Sequence, residues 1–244
     1  MSFKTKLTSI VMGSVLVFGL AACGNGQGDV AAVVNGEEIP MSEFNKMYES
    51  QKEQMLQSQQ SASQSQQGGD SEEKDSESEA SLSDDQKKQL KTSVLENVIN
   101  VELILQDAEE QEITASEDKV KEQFNQMKEQ SGEDKFKEIL KENDLTEEDL
   151  KKNIKDNLVI QKYFEKNMDE TEVTEKELKE EYDKMKQQYE AMNKQSEQEM
   201  EIPKFEDSKE QLKSSVKKSK QQKQQQEIID KLRENGEIEK KVEV

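Results

Sequence analysis

Nine of the sixteen residues from 90 to 105 are apolar, the densest such stretch after the N-terminal segment. This stretch has to organise whatever folds. From Cys23 onward Leu, Ile, Val and Phe supply 41 of 222 residues. That is about 18%, under the ~20% below which highly charged chains tend to stay disordered. Leu90, Val94, Val98, Val101, Ile104 or Leu105, and Ala108 recur at helical spacing. Ser83-Asp84-Asp85-Gln86 ahead of them reads as a capping box, so the spacing predicts a central core helix opening there. By contrast, residues 58–81 hold only Ala62 and Ala80 among Gln, Ser and Glu, and are expected to be a disordered insertion.

Around that helix the chain is punctuated in a regular way. Residues 30–39 read as a hairpin, because VAAVV and EEI flank Asn35-Gly36, the dipeptide best suited to a type I′ turn. Pro40 should stop the second strand and Ser42 should cap a helix carrying Phe44, Met47, Tyr48, Met55 and Leu56. Thr114, Thr146 and Thr174 each begin a Ser/Thr-x-x-Asp/Glu signature ahead of periodic segments. Those segments carry Val120, Phe124 and Met127; Leu150, Ile154, Leu158 and Tyr163; and Leu178, Tyr182, Met185, Tyr189 and Met192. A shorter helix with Phe136, Ile139 and Leu140 should follow Gly132. Residues 193–203 form a polar break. Residues 205–235 then suit one long helix, with Gly236 as a left-handed residue after its end. No apolar side chain falls between Val216 and Ile228, as expected of a segment that is solvated or bridges two lobes. Ile238, Lys240, Val242 and Val244 alternate at strand spacing.

Charge and composition exclude several function classes. Net charge is −20, and because residues 1–22 hold Lys4 and Lys6 without an acid, the remainder carries −22. Nucleic acid is excluded as a partner, since phosphate binding requires clustered cations. Lys213, Lys217, Lys218, Lys220 and Lys223 do form a local basic run, read as a solvated helix face, the alternative being contact with anionic lipid or wall polymer. The chain has no histidine. That removes His-based triads, His general bases and most transition-metal centres. No calcium loop and no catalytic constellation are present, so neither a metal nor a cofactor is expected.

Residues 1–22 have a positive start, an apolar run of about 14 residues, shorter than the ~20 that span a bilayer, and a small-residue end. This reads as an export signal. Leu20-Ala21-Ala22-Cys23 resembles the lipobox of bacterial lipoproteins, in which the chain is cut between the residues corresponding to Ala22 and Cys23 and the thiol is acylated. Cys23 is the only cysteine and has no internal disulfide partner. The resemblance implies a membrane anchor followed by a short flexible tether, residues 23–29.

Taken in order, VAAVVNGEEIPMSEF, LENVINVELILQDAEEQEITASEDKVKEQF, KENDLTEEDLKKNIKDNLVIQKYF and EVTEKELKEEYDKM resemble the entry motif and successive helices of the SurA/PrsA family of extracytoplasmic chaperones and foldases. The resemblance implies a mainly α fold: a SurA/trigger-factor-like helical peptide-binding lobe with a small N-terminal hairpin and a C-terminal strand closing a short sheet. Residues 30–192 would be the chaperone domain, 193–204 a linker, and 205–244 the helix and strand that complete the lobe. In PrsA-like relatives a parvulin domain follows the helix opened by Thr174. Its active site contains histidines, and its roughly hundred residues cannot fit between Tyr189 and Pro203. The isomerase site is therefore not carried over.

For the whole chain the resemblance implies reversible binding of unfolded or secreted polypeptides in an apolar crevice. Methionine suits that role because its unbranched thioether adapts to varied surfaces. Met47, Met55, Phe124, Met127, Tyr182, Met185, Tyr189 and Met192 are the candidate lining. The alternatives are an adaptor lipoprotein with one envelope partner, and an isomerase acting through a diverged site.

Overall fold

The structure, a computed structural model, describes residues 30–66, 82–143, 145–195 and 200–243. The lipobox-like residues 20–23, Ala22 and Cys23 included, and the greater part of the low-complexity segment lie outside these residues.

Strands β1 (Val30–Val34) and β2 (Glu37–Pro40) form the expected hairpin. Asn35 and Gly36 turn it with φ of 52° and 88°, left-handed values that asparagine and glycine tolerate. A register shift between Val30 and Ala32 interrupts the pleat. Ala31 and Ala32 are both buried in consequence, where strict alternation would expose one. The third strand, β3 (Ile238–Lys240), pairs antiparallel with β1, giving the order β2-β1-β3. Val33 sits opposite Glu239, and Val242 packs on the same core just past the strand. The two ends of the described chain therefore close one sheet.

Helix α1 (Met41–Gln66) starts directly after Pro40, so Ser42 lies within its first turn and is not the cap. It also continues past Ser58 to Gln66, eight residues beyond where the insertion was expected to begin. Helix α2 (Asp84–Glu110) opens with the predicted Ser83/Gln86 capping box. It lays Leu95, Ile99 and Leu103 on the sheet residues Ala32, Val34 and Ile39, with Phe44 of α1 completing this first core. Its far end, with Ile104 and Ala108, builds a second core against Val159 and Tyr163.

Helix α3 (Glu117–Ser131) begins after Ser116, not Thr114, and has no side-chain cap. Gly132, at φ 76°, turns the chain into α4 (Glu133–Glu142). Helix α5 (Glu147–Asn167) has the predicted Thr146/Asp149 capping box. Phe124, Phe136, Leu140, Ile154 and Leu158 from α3, α4 and α5 form a third core. Among the described residues no helix is long and apolar enough to cross a membrane.

Two helices remain. Thr174 and Glu177 exchange the predicted capping hydrogen bonds at the start of α6 (Glu175–Gln195). Helix α7 (Phe205–Asn235) is about 46 Å long at ~1.5 Å per residue. Its first half buries Leu212 and Val216 beside α6, while its last turns pack Ile228, Ile229 and Leu232 on the second core. Gly236 is extended at φ −89°, which corrects the left-handed expectation. Glycine is needed there for space: a Cβ would lie 2.9 Å from Leu103 Cδ2 and 3.1 Å from the Leu232 carbonyl oxygen.

Candidate functional site

Helix α6 projects from the three cores, and α7 is the helix packed against it. The contacts fall on the first half of α6. Lys209 lies 3.7 Å from Glu175, Lys220 2.7 Å from Glu177, and Ser215 donates to Glu181 at 2.9 Å. The Tyr182 and Phe205 rings meet edge to face at 5.3 Å. Leu178, on the α6 stripe one turn before Tyr182, is buried in this crossing.

Beyond Tyr182 the neighbour changes from a helix to an extended return segment. Tyr182 Oη donates to the Pro203 carbonyl at 2.9 Å. Asn193 exchanges two hydrogen bonds with the Met200 backbone, at 2.7 and 2.8 Å. Tyr182, Met185, Tyr189 and Met192 continue the stripe at three-to-four spacing on one side of α6, as the sequence predicts. Met185 and Tyr189 are half-buried, whereas Met192 is 53% exposed. Met200, Ile202 and Phe205, all half-buried, belong to the return segment and the start of α7. Residues 200–205 thus add apolar side chains to what the sequence pattern predicts as a polar break, 193–203. The missed signal is the apolar alternation in MEIPKF, which suits an extended segment with one side against protein.

The other candidates do not join this surface. Met47 is half-buried against the first core, and Met55 lies further along α1, a helix that packs on α2 and the hairpin. Phe124 is a core residue and no part of an open lining: it is 5% exposed, in edge-to-face contact with Phe136 at 5.5 Å and covered by the Lys151 ammonium. Met127, one turn on, is 44% exposed on α3, which packs on α4 and α5.

The electrostatics of the arm are those of a fastening. Glu177 is held at about 2 by the Lys220 hydrogen bond first and then by the Thr174 backbone and hydroxyl. Lys220 also donates to the Glu172 carbonyl at 2.8 Å, so one ammonium ties the segment before α6 to α7. Of the basic run, Lys220 and Lys223 have carboxylate partners, while Lys213, Lys217 and Lys218 are exposed.

Among the described residues no three His, Cys, Asp or Glu side chains are grouped to hold a metal ion. A concavity of about 510 Å³ on α2 is lined by Asp85, Lys88, Gln89, Thr92 and Ser93, but the Thr92 hydroxyl is committed to the Lys88 carbonyl. The arrangement can hold apolar side chains against an adaptable surface; it offers no nucleophile paired with a base.

Comparison with known proteins supplies a relationship for this fold. The family described as the SurA-like N-terminal domain matches residues 2–164, which takes in the hairpin, α1, α2, α3, α4 and most of α5. A solved structure from work on PEB4 and the periplasmic protein Cj1289, two structurally related SurA-like chaperones of Campylobacter jejuni, is similar with a TM-score of 0.50 at 15% identity. The similarity covers 86% of this chain and 98% of that one, and it is a likeness of fold. No curated protein matches.

Proposed function

Because the chain belongs to the family of SurA-like N-terminal domains, we propose that it is an extracytoplasmic chaperone that binds unfolded secreted polypeptides reversibly and without chemistry. In this reading Cys23 carries the lipid that holds it at the outer face of the bacterial cell membrane, as in a Gram-positive envelope. Clients meet the distal half of α6, where Met185, Tyr189 and Met192 continue the stripe that Tyr182 begins.

The observation that carries this reading is the apolar stripe itself. It runs on past the crossing with α7 to a methionine that is 53% exposed, in a chain with few apolar residues to leave uncovered. Met and Tyr give such a surface adaptable area with few polar demands. The large negative charge keeps loaded molecules apart.

A photocrosslinker at Tyr189 in native membranes tests the reading. Adducts with many unrelated secreted chains are the expected result. A single adduct of defined mass would instead establish an adaptor with one partner.

A further inference from the structure

Asparagine followed by glycine occurs three times, at Asn25-Gly26, Asn35-Gly36 and Asn235-Gly236. The second and third, two hundred residues apart, meet where the sheet closes: a Cβ on Gly236 would lie 3.4 Å from Asn35 Oδ1. This dipeptide is the one most open to deamidation, because glycine has no side chain to keep its amide nitrogen from the preceding side-chain carbonyl carbon. The Gly36 nitrogen, giving up its proton, would bond to Asn35 Cγ while the Cγ–Nδ2 bond breaks and ammonia leaves. Water then opens the resulting ring to aspartate or isoaspartate.

The fold holds both described pairs away from this reaction. At the end of α7, the Gly236 N–H donates to the Leu232 carbonyl at 2.9 Å and Asn235 Nδ2 to the Lys231 carbonyl at 2.9 Å, so both reacting groups are occupied within the helix. Asn35 depends on more distant partners. Its Oδ1 accepts from the Glu237 N–H at 2.8 Å, its Nδ2 donates to Gln106 Oε1 at 2.8 Å, and its own N–H donates to the Glu237 carbonyl at 2.8 Å. The side chain has to leave both of its partners before Cγ can turn to the Gly36 nitrogen. One of those partners leaves whenever the C-terminal strand does.

Conversion would also oppose reclosure. Gln106 is fixed by donating Nε2 to the Val34 carbonyl at 3.1 Å and to Glu102 Oε1 at 2.8 Å. A carboxylate at position 35 would then set acceptor against acceptor at Gln106 Oε1, unless Gln106 gave up both bonds. It would also add a negative charge next to Glu237 and near Glu37 and Glu102. We propose that Asn35 is a deamidation site protected by the docked C-terminal strand, and that its conversion weakens redocking of that strand.

The test follows Asn35 in the full chain by peptide mapping and mass at mildly alkaline pH, in buffer and in urea. Native protein should convert at least ~10-fold more slowly than unfolded protein, because only the open fraction reacts. Glu237→Pro, which removes the donor to Oδ1, and Gln106→Ala, which removes the partner of Nδ2, should each accelerate conversion several-fold while circular dichroism stays helical. Equal rates in buffer and urea, or no acceleration in a folded variant, would overturn the protection. Should either variant unfold, the comparison of buffer with urea decides alone. For redocking, Asn35→Asp should speed hydrogen exchange at the Glu237 and Lys241 amides several-fold, and unchanged exchange there would refute that half of the proposal.

Discussion

Arg233, in the last turn of α7, places its guanidinium 2.6 Å from Glu96 on α2, a residue 137 positions earlier in the chain. The same guanidinium donates to Asn100 at 2.6 Å, and Lys240 of β3 approaches the other Glu96 oxygen. One carboxylate thus receives both the end of the long helix and the closing strand. Arg233→Ala should cost about 1–2 kcal/mol, the low side of the ~1.5–3 kcal/mol usual for hydrogen bonds to charged groups, because the pair is partly exposed and screened. Urea unfolding measures it.

Burial tends to raise the Glu96 carboxyl, but Lys240 and Arg233 outweigh it and hold the group below its ordinary range. A carboxylate depressed in the folded state adds stability that is complete above its unfolded pKa and is lost as pH falls through the folded one. Closure of the C-terminal strand should therefore loosen below about pH 4, near the ordinary glutamate value. Glu96→Gln should flatten this part of the acid-stability curve. Denaturant midpoints across pH 3 to 6 check the difference.

Glu177, paired with Lys220 at the middle of α7, gives a clearer titration. Bonded to Lys220 and Thr174, it titrates at about 2, so the stability it contributes should be complete through neutral pH, begin to fall below the ordinary glutamate value near ~4 and be lost as pH passes through about 2. Carbon-detected NMR of the Glu177 carboxyl should show this directly. In Lys220→Met the same carbon should titrate higher, toward the ordinary carboxylate range. An unchanged titration would mean that Thr174 alone holds the group down.

Gly236 has ordinary backbone angles, so the case for glycine there rests on its neighbours. Gly236→Ala should destabilise by about 1–3 kcal/mol, the usual cost of an added methyl group that forces its neighbours to shift. Part of that should vanish in a Leu103→Ala background, where the nearest obstructing atom is gone. A double-mutant cycle in urea gives the coupling.

These cases also show where local pattern ends. The hairpin, the central helix and the capping boxes at Ser83, Thr146 and Thr174 were legible because each is set by residues within a few positions of one another. Gly236 was misread because its constraint comes from Leu103, far away in sequence. Helix α7 read as polar between two ends for a geometric reason. From Leu212 to Ile228 the helix turns through about 160° beyond whole turns, so its two halves bury nearly opposite faces and no single stripe runs its length. Phe124 and Met127 sit one turn apart on α3 and were read alike, yet only Phe124 meets Phe136 and Lys151. Which of two neighbouring apolar residues is core depends on a partner that α3 itself does not contain. The α6 stripe was legible as a stripe. The return segment hydrogen-bonded to α6 at Tyr182 and Asn193 was not, because two alternating residues carry little signal.

Cys23 is tested without reference to the fold. Cys23→Ala should release the protein from the membrane fraction, because acyl chains on that thiol supply the proposed anchor. Fractionation followed by immunoblotting checks this. Membrane retention of the variant would mean that another segment holds the chain there.

The proposed client surface makes opposite predictions for two of the candidate lining residues. Met192 is 53% exposed, so Met192→Asp should leave the thermal midpoint nearly unchanged, as substitutions at exposed positions commonly do. It should still weaken suppression of client aggregation, since a charge would enter the stripe next to Tyr189. Phe124→Ala should behave in the reverse way. It empties a packed aromatic site and should cost about 3–5 kcal/mol, while suppression per folded molecule stays near the unsubstituted level. Light scattering of a denatured client, with the chaperone scored by its folded fraction, separates the two effects. If Met192→Asp suppressed aggregation as well as the unsubstituted chain, and Tyr189→Ala did too, the distal half of α6 would not be the binding surface. The exposed Met127 on α3 would then be the next position to test.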